Sequence, residues 1–259
     1  MSFKLALLTY NMARHWDLAA LLAKVEGLGF AAVELRTDQG HAHGVEVALT
    51  KAERAKVRAQ VEASGVALCG LSSGCKYDSL DGAELRKHID QTKALLTLSA
   101  DVGAAGLKVF GNNFHEDQGV VRDATMAQVG DALKECAQFA RPLGVEVRFE
   151  MHGDFNPWKY AVRVVELAGE PNLSLIYNCD ARDMVGGSIA DTWTHVAPYV
   201  RHVHLHDLTD AFPYRELFRL LTQAGYTGYS SAELPDSTDP ERVLRYYRAL
   251  WEAYVGEAG

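Results

Sequence analysis

Four short stretches of this sequence set a carboxylate or an imidazole among apolar residues at what read as strand ends. Val147-Arg148-Phe149-Glu150-Met151-His152 carries Glu150, and Tyr177-Asn178-Cys179-Asp180 ends in Asp180. His202-Val203-His204-Leu205-His206-Asp207 sets His204 between two apolar residues, and Ser231-Ala232-Glu233 ends in Glu233. Successive strand residues point to opposite faces of a sheet. With Val147 and Phe149, Val203 and Leu205, and Ala232 and Leu234 on one face, Glu150, His204 and Glu233 fall on the other. If the four strands are neighbours, Glu150, Asp180, His204 and Glu233 aim at one point. Three carboxylates brought together repel one another and lose hydration. A divalent cation relieves both costs, and oxygen ligands with one imidazole suit Mn²⁺, Mg²⁺, Co²⁺ or Zn²⁺ without choosing among them. The alternative is a set of interior ion pairs, in which Arg36, Lys108 and Arg148 neutralise these acids, as they can Glu34 and Glu146.

The elements that must position these residues recur along the chain. Strands are expected at Lys4–Thr9, Ala31–Leu35, Val66–Leu71, Leu107–Phe110, Val145–Glu150, Leu173–Cys179, Val200–His206 and Tyr229–Glu233. Between them, Leu18, Leu21, Leu22, Val25 and Leu28 recur at the spacing of a buried helix face, as do Met126, Val129, Leu133, Cys136 and Ala140. Thr50-Lys51-Ala52-Glu53 reads as a capping box. Asn156-Pro157 and Asp239-Pro240 each set a capping side chain before a proline suited to the first helical position. Gly27, Gly29, Gly65, Gly144 and Gly225 stand near helix ends. Strict strand–helix alternation demands a parallel sheet. Eight units in 259 residues fit a closed (β/α)8 TIM barrel, an α/β fold, as one domain over residues 1–259. No GxGxxG follows the first strand, which weighs against a dinucleotide site. Such barrels carry their chemistry at the C-terminal ends of their strands, where the four residues above lie.

Composition narrows the function further. With 26 Lys+Arg against 34 Asp+Glu, the net charge of −8 disfavours general affinity for nucleic acid. No apolar run approaches the roughly 18–20 residues that cross a bilayer, so no membrane association is expected. Leu5 to Leu8 is too short for a signal-peptide core, and Arg14, His15 and Asp17 follow it closely. Cys69, Cys75, Cys136 and Cys179 form no CxxC pair, which points to a cytoplasmic protein with reduced thiols.

The constellation resembles that of the xylose isomerase-like TIM barrel superfamily, the sugar phosphate isomerase/epimerase group that also includes inosose dehydratases and endonuclease IV. The likeness extends from Leu7-Leu8-Thr9-Tyr10 and Ala32-Val33-Glu34-Leu35 to Ala232-Glu233-Leu234. Its most specific pieces are Phe149-Glu150-Met151-His152, Asp180-Ala181-Arg182-Asp183 and His204-Leu205-His206-Asp207, which is similar to the family's HxKD. The resemblance implies one divalent metal ion held by Glu150, Asp180, His204 and Glu233. Two positions depart from the pattern, because His206 stands where Lys is frequent and Asp183 where many members have His or Asn. The resemblance also implies that His152, two positions beyond Glu150, touches substrate. His206, at the barrel mouth, and Asp183 are further substrate-binding candidates, and Arg215 follows strand seven where ketose 3-epimerases place a substrate-binding Arg, or else lies on a helix surface. Lys108 and Glu34 point inward, toward substrate or into an ion pair. His202 reads as an interior histidine, Trp16, Trp158 and Phe114 as walls or packing, and His41 and His43 as only superficially a metal pair.

The function so implied is a divalent-metal-dependent sugar or sugar phosphate isomerase/epimerase in carbohydrate metabolism, working through a metal-stabilised enediolate. Glu150 and Glu233, from opposite parts of the ligand ring, would act as its acid/base pair. An inosose dehydratase-like lyase uses the same proton removal and then expels a β-hydroxyl. An endonuclease IV-like phosphodiesterase would need further imidazoles, where this chain has Leu71-Ser72-Ser73 and Phe110-Gly111-Asn112-Asn113. A non-catalytic sugar-binding barrel would have had no reason to keep all four ligands. The partner implied is a small carbohydrate, and the resemblance also implies a homo-oligomer, with no heptad or strand edge marking an interface.

Overall fold

A computed structural model describes residues 3–259. Eight parallel strands close into a barrel in chain order: β1 (Lys4–Leu8), β2 (Ala32–Arg36), β3 (Ala67–Lys76), β4 (Gly106–Phe110), β5 (Glu146–Glu150), β6 (Leu173–Tyr177), β7 (Val200–Leu205) and β8 (Tyr229–Glu233). β8 pairs back onto β1, with Leu8 opposite Glu233. Helices α1 (Leu18–Gly27), α2 (Lys51–Ala63), α3 (Gly82–Val102), α4 (Arg122–Ala140), α5 (Trp158–Ala168), α6 (Ala190–Val196), α7 (Tyr214–Gln223) and α8 (Pro240–Ala258) follow the strands in turn. No helix among the described residues is long and apolar enough to cross a membrane. All four cysteines are free and buried.

The main core lies between strands and helices. Val33, Leu107, Phe149 and Leu205 from the strands share it with Leu21, Val25, Leu133 and Cys136 from α1 and α4. Each such large apolar side chain, fully buried, contributes about 1.5–3 kcal/mol. Thr50 and Glu53 form the expected capping box, and Asp239 caps α8 with Pro240 in its first turn. Asn156 does not cap α5 as expected: Pro157 takes the cap position, and the Asn156 amide donates to Asp183 Oδ1 at 2.9 Å. β6 also ends at Tyr177, earlier than expected, and Cys179 beyond it turns the chain with a φ of +50°.

Inside the barrel, small and charged residues stand among a few apolar ones such as Leu8 and Ile176. Ala6, Ala32 and Cys69 form a small cluster. Arg148 lies buried beside them, with Nε on Glu146 at 2.6 Å, one Nη donating to the Cys69 carbonyl at 2.9 Å and to His202 Nδ1 at 3.3 Å. Gly106 makes room for this guanidinium, since a Cβ there would stand 2.5 Å from Arg148 Nε. Gly106→Ala is therefore expected to destabilise the barrel by about 1–3 kcal/mol. The measurement is a lowered denaturant midpoint at unchanged slope; an unshifted midpoint would mean that Arg148 moves freely.

Candidate metal and active site

Strand alternation carries Glu34, Glu150, His204 and Glu233 to the inner face of the barrel, and pairing brings them together. His204 is fully buried, with Nδ1 2.8 Å from Glu150 Oε1 and 3.3 Å from Glu233 Oε2. One ligand atom from each of these three residues lies within 4.8 Å of the others. Adjacent ligands around a cation at about 2.1 Å stand about 3 Å apart, so two oxygens and one nitrogen at these separations fit a first-row divalent ion. The Lys108 ammonium pairs with Glu150 Oε2 at 2.7 Å.

Below this cluster, Glu34 joins His204 to the barrel interior. Its carboxylate lies 3.2 Å from His204 Nε2 and 2.8 Å from His202 Nε2, and accepts from the Ser231 hydroxyl at 2.7 Å. Arg148 is always a donor, so His202 Nδ1 must accept and His202 Nε2–H must donate to Glu34. Burial disfavours charge on His204, but Glu34, Glu150 and Glu233 around it overcome that and hold its imidazole well above the usual range. Burial likewise raises Glu34 and Glu150, and is overcome, at Glu34 by His204 and His202 and at Glu150 by Lys108 and His204, so both carboxyls lie below their ordinary range. His202, by contrast, is pushed down by its burial. The three carboxylates draw positive charge into the site, as a proton on His204 or as a cation.

A cavity of about 500 Å³ opens above the cluster, with Glu150, Glu233 and Lys108 on its floor and Asn178, His206 and Phe110 among its walls. Its size is that of a small-molecule site, and its mixture of polar groups with one apolar wall suits a polyhydroxylated ligand.

The expected residues do not all meet there. The structure brings Glu150, His204 and Glu233 together and leaves Asp180 apart, with both oxygens taken by Arg182 at 2.8 and 2.7 Å. Asp180 lies three residues beyond the end of β6, so strand alternation does not govern its direction. Hydrogen bonding by Arg182 pulls its carboxyl below the usual range. His152 lines the cavity against Phe110, and its Nδ1 has no partner. His206 lines it too, with Nε2 2.9 Å from the Asn178 carbonyl. Asp183, expected to bind substrate, is absent from the cavity lining: it is buried, holds Asn156 and the Asp180 N–H, and burial pushes it up to about 6. Arg215, also expected to bind substrate, is likewise absent, being exposed on α7 in an ion pair with Glu257. Glu34 lies beneath His204 and outside the cavity lining.

Trp16, Trp158 and Phe114 are also absent from that lining; Trp158 stacks on His195 at 3.6 Å, and Phe114 packs on Phe155 at 4.5 Å. The His43 ring holds the Arg36 carbonyl and the Val45 N–H, a loop-bracing role. Tyr10, Asn11, Asn178 and Asp210 line the cavity without having stood out in the sequence; their positions just past strand ends were the signal that could have found them.

The family model described as "Xylose isomerase-like TIM barrel" matches residues 22–253. Among solved structures, D-psicose 3-epimerase in the presence of D-fructose superposes with a TM-score of 0.79 at 17% identity, over 98% of this chain and 100% of that one. The 3-keto-D-glucoside 4-epimerase of E. coli gives 0.79 at 18% identity, over 97% and 99%. The IolI protein with a zinc atom gives 0.82 at 14% identity, over 99% of both. At these identities the likeness is one of fold. In sequence, 104 residues are 28% identical to the C-glycoside deglycosidase alpha subunit of Arthrobacter globiformis, spanning 36% of this chain and 28% of that protein's length.

Proposed function

The chain belongs to the xylose isomerase-like TIM barrel family, and from that premise we propose that it is a divalent-metal-dependent isomerase or epimerase of a small keto-sugar. The observation that carries this reading is the approach of Glu150 Oε1 and Glu233 Oε2 to one imidazole nitrogen on the floor of an open cavity. Glu150, His204 and Glu233 would hold the ion, and Asp180 would join them only by giving up Arg182. A bound Mn²⁺, Mg²⁺, Co²⁺ or Zn²⁺ supplies Lewis acidity that lowers the cost of negative charge on a substrate carbonyl oxygen.

The chain's own groups do the rest. Glu150 on β5 and Glu233 on β8 reach the cavity from opposite sides of His204, so one takes a proton from the carbon beside the carbonyl and the other returns one. Lys108 holds Glu150 ionised and fixed, while Glu233, whose side chain is 17% exposed, is the freer of the two. His152 and Asn178 stand where they can hold sugar hydroxyls. The named epimerases that share this fold support the substrate class. The test is solvent deuterium exchange by the Mn²⁺-loaded protein across a panel of ketoses and keto-sugars. Exchange at the carbon beside the carbonyl is expected, and none on any member defeats the reading.

A lyase reading shares the proton removal and ends in loss of a β substituent. The partial likeness to the alpha subunit of a C-glycoside deglycosidase, a protein named for breaking a glycoside, favours keeping it. An absorbing unsaturated product would select it.

A further inference from the structure

A second cavity, of about 270 Å³, opens beside the first and has no part in the reaction above. Its walls include Arg14, His15, Arg36 and His41, and none of its lining residues is acidic, in a chain of net charge −8. Tyr10, Asn11 and Arg36 line both cavities, so the two adjoin at the ends of β1 and β2.

Arg36 is the last residue of β2 and stands two positions above Glu34 on the same inward face. That rise is about 6–7 Å along the strand and sets Arg36 toward the rim, where it lines the cavity above the cluster as well as the second one. Of the three cations expected to neutralise interior acids, Lys108 pairs with Glu150 at 2.7 Å and Arg148 with Glu146 at 2.6 Å. Arg36 forms no ion pair among the described residues. Its Nε is buried without a partner, and Nη1 reaches only the Ser73 carbonyl at 3.4 Å. Asp38, two residues on, has a buried Oδ2 without a hydrogen-bond partner but forms no ion pair with Arg36. Glu46 accepts from the Asp38 N–H at 2.9 and 3.1 Å, and Asp236 pairs with Arg14 at 3.5 Å and lies 3.8 Å from His15 on the outer rim. His41 Nδ1 is also buried without a partner, and its imidazole is held down first by burial and then by the charges of Arg36, Arg14 and His15. Arg14 pairs with Asp236, whereas the Arg36 guanidinium faces the cavity with no carboxylate partner and no acid in the lining, which suits it to an anion.

We propose that this cavity receives a phosphate or carboxylate group at the far end of the sugar whose carbonyl lies over Glu150, His204 and Glu233, with Arg36 as its principal clamp. This rests on the keto-sugar reading for the position of the carbonyl. It makes the substrate an acidic sugar, a phosphate ester or a sugar acid.

The test is calorimetric titration of the full chain, freed of metal so that no cation holds the probe, with inorganic phosphate, gluconate and neutral sorbitol. At least one anion is expected to bind about tenfold or more tighter than sorbitol, and the tighter of the two identifies the group. Arg36→Gln should abolish that preference at unchanged thermal midpoint. Arg36→Lys should restore part of it, since charge returns without the planar fork. Arg14→Gln, on the exposed rim, should weaken it less and serves should Arg36→Gln fold poorly. Anions that bind no better than sorbitol, or that bind Arg36→Gln as tightly as the wild type, overturn the proposal. Deuterium exchange separates the two readings. Exchange on neutral ketoses with no advantage for their acidic counterparts removes the anion site and keeps the reaction. Retained anion preference with no exchange on any sugar removes the reaction and keeps the site.

Discussion

Glu233→Gln is expected to keep a large share of metal binding while losing turnover by about 10²–10⁴-fold, the contribution typical of a positioned proton-transfer group. Glutamine preserves an oxygen at nearly the same volume but carries no charge and exchanges no proton near neutral pH. Glu233 is suited to show the effect because its one ion-pair contact among the described residues is His204, at 3.3 Å, and its side chain reaches the cavity. Glu150 is engaged by both Lys108 and His204, so Glu150→Gln should also weaken metal binding and disturb Lys108. Each single variant should still exchange the substrate proton on its intact side, a readout that separates proton transfer from ligation. Full activity of Glu233→Gln at saturating metal would falsify the two-glutamate mechanism and leave the metal site standing.

Replacing Glu34 should have the largest effect on the site's assembly. Its carboxylate faces the Nε2 atoms of both His202 and His204 and accepts from Ser231, in a fully buried position. With Nε2–H turned to Glu34, His204 presents Nδ1 to the cluster formed with Glu150 and Glu233. A partner of this kind typically changes metal affinity by about 10–100-fold when removed. Glu34→Gln should show that loss in a chelator-competition titration, because the neutral amide keeps one accepting oxygen for two imidazoles and a hydroxyl and loses the charge that holds them. Glu34→Ala should in addition cost about 3–5 kcal/mol of stability, the usual consequence of stripping one partner from a buried charge pair. Metal affinity equal to wild type in Glu34→Gln would show that the ring of His204 is oriented by other groups.

Much of this was legible in the sequence because it is periodic. Alternation in β5, β7 and β8 sent Glu150, His204 and Glu233 to one face, and the repeat of strand and helix placed those strands around one axis. The face assignment failed where periodicity stops. Asp180 lies past the end of β6, behind the left-handed residue Cys179, and its direction is set by Arg182 two residues away. Asp183 and Arg215 likewise lie outside strands, and a backbone pattern says nothing of where a loop or a helix surface will turn them.

The amino-acid sequence by itself thus determined the closed barrel, the end of it that carries chemistry, and three of the residues that converge there, since these follow from periods of two and 3.6 and from the crossovers that parallel strands require. Tertiary structure alone decided which charges meet. Glu34 and His204 are 170 residues apart along the chain and 3.2 Å apart in space, and Lys108 rather than Arg36 neutralises Glu150. Ion pairing depends on distances of a few ångströms among side chains from different strands, set by barrel closure and register. That information is absent from any one segment, which is why Arg36, expected to neutralise an interior acid, lines both cavities and pairs with no carboxylate among the described residues.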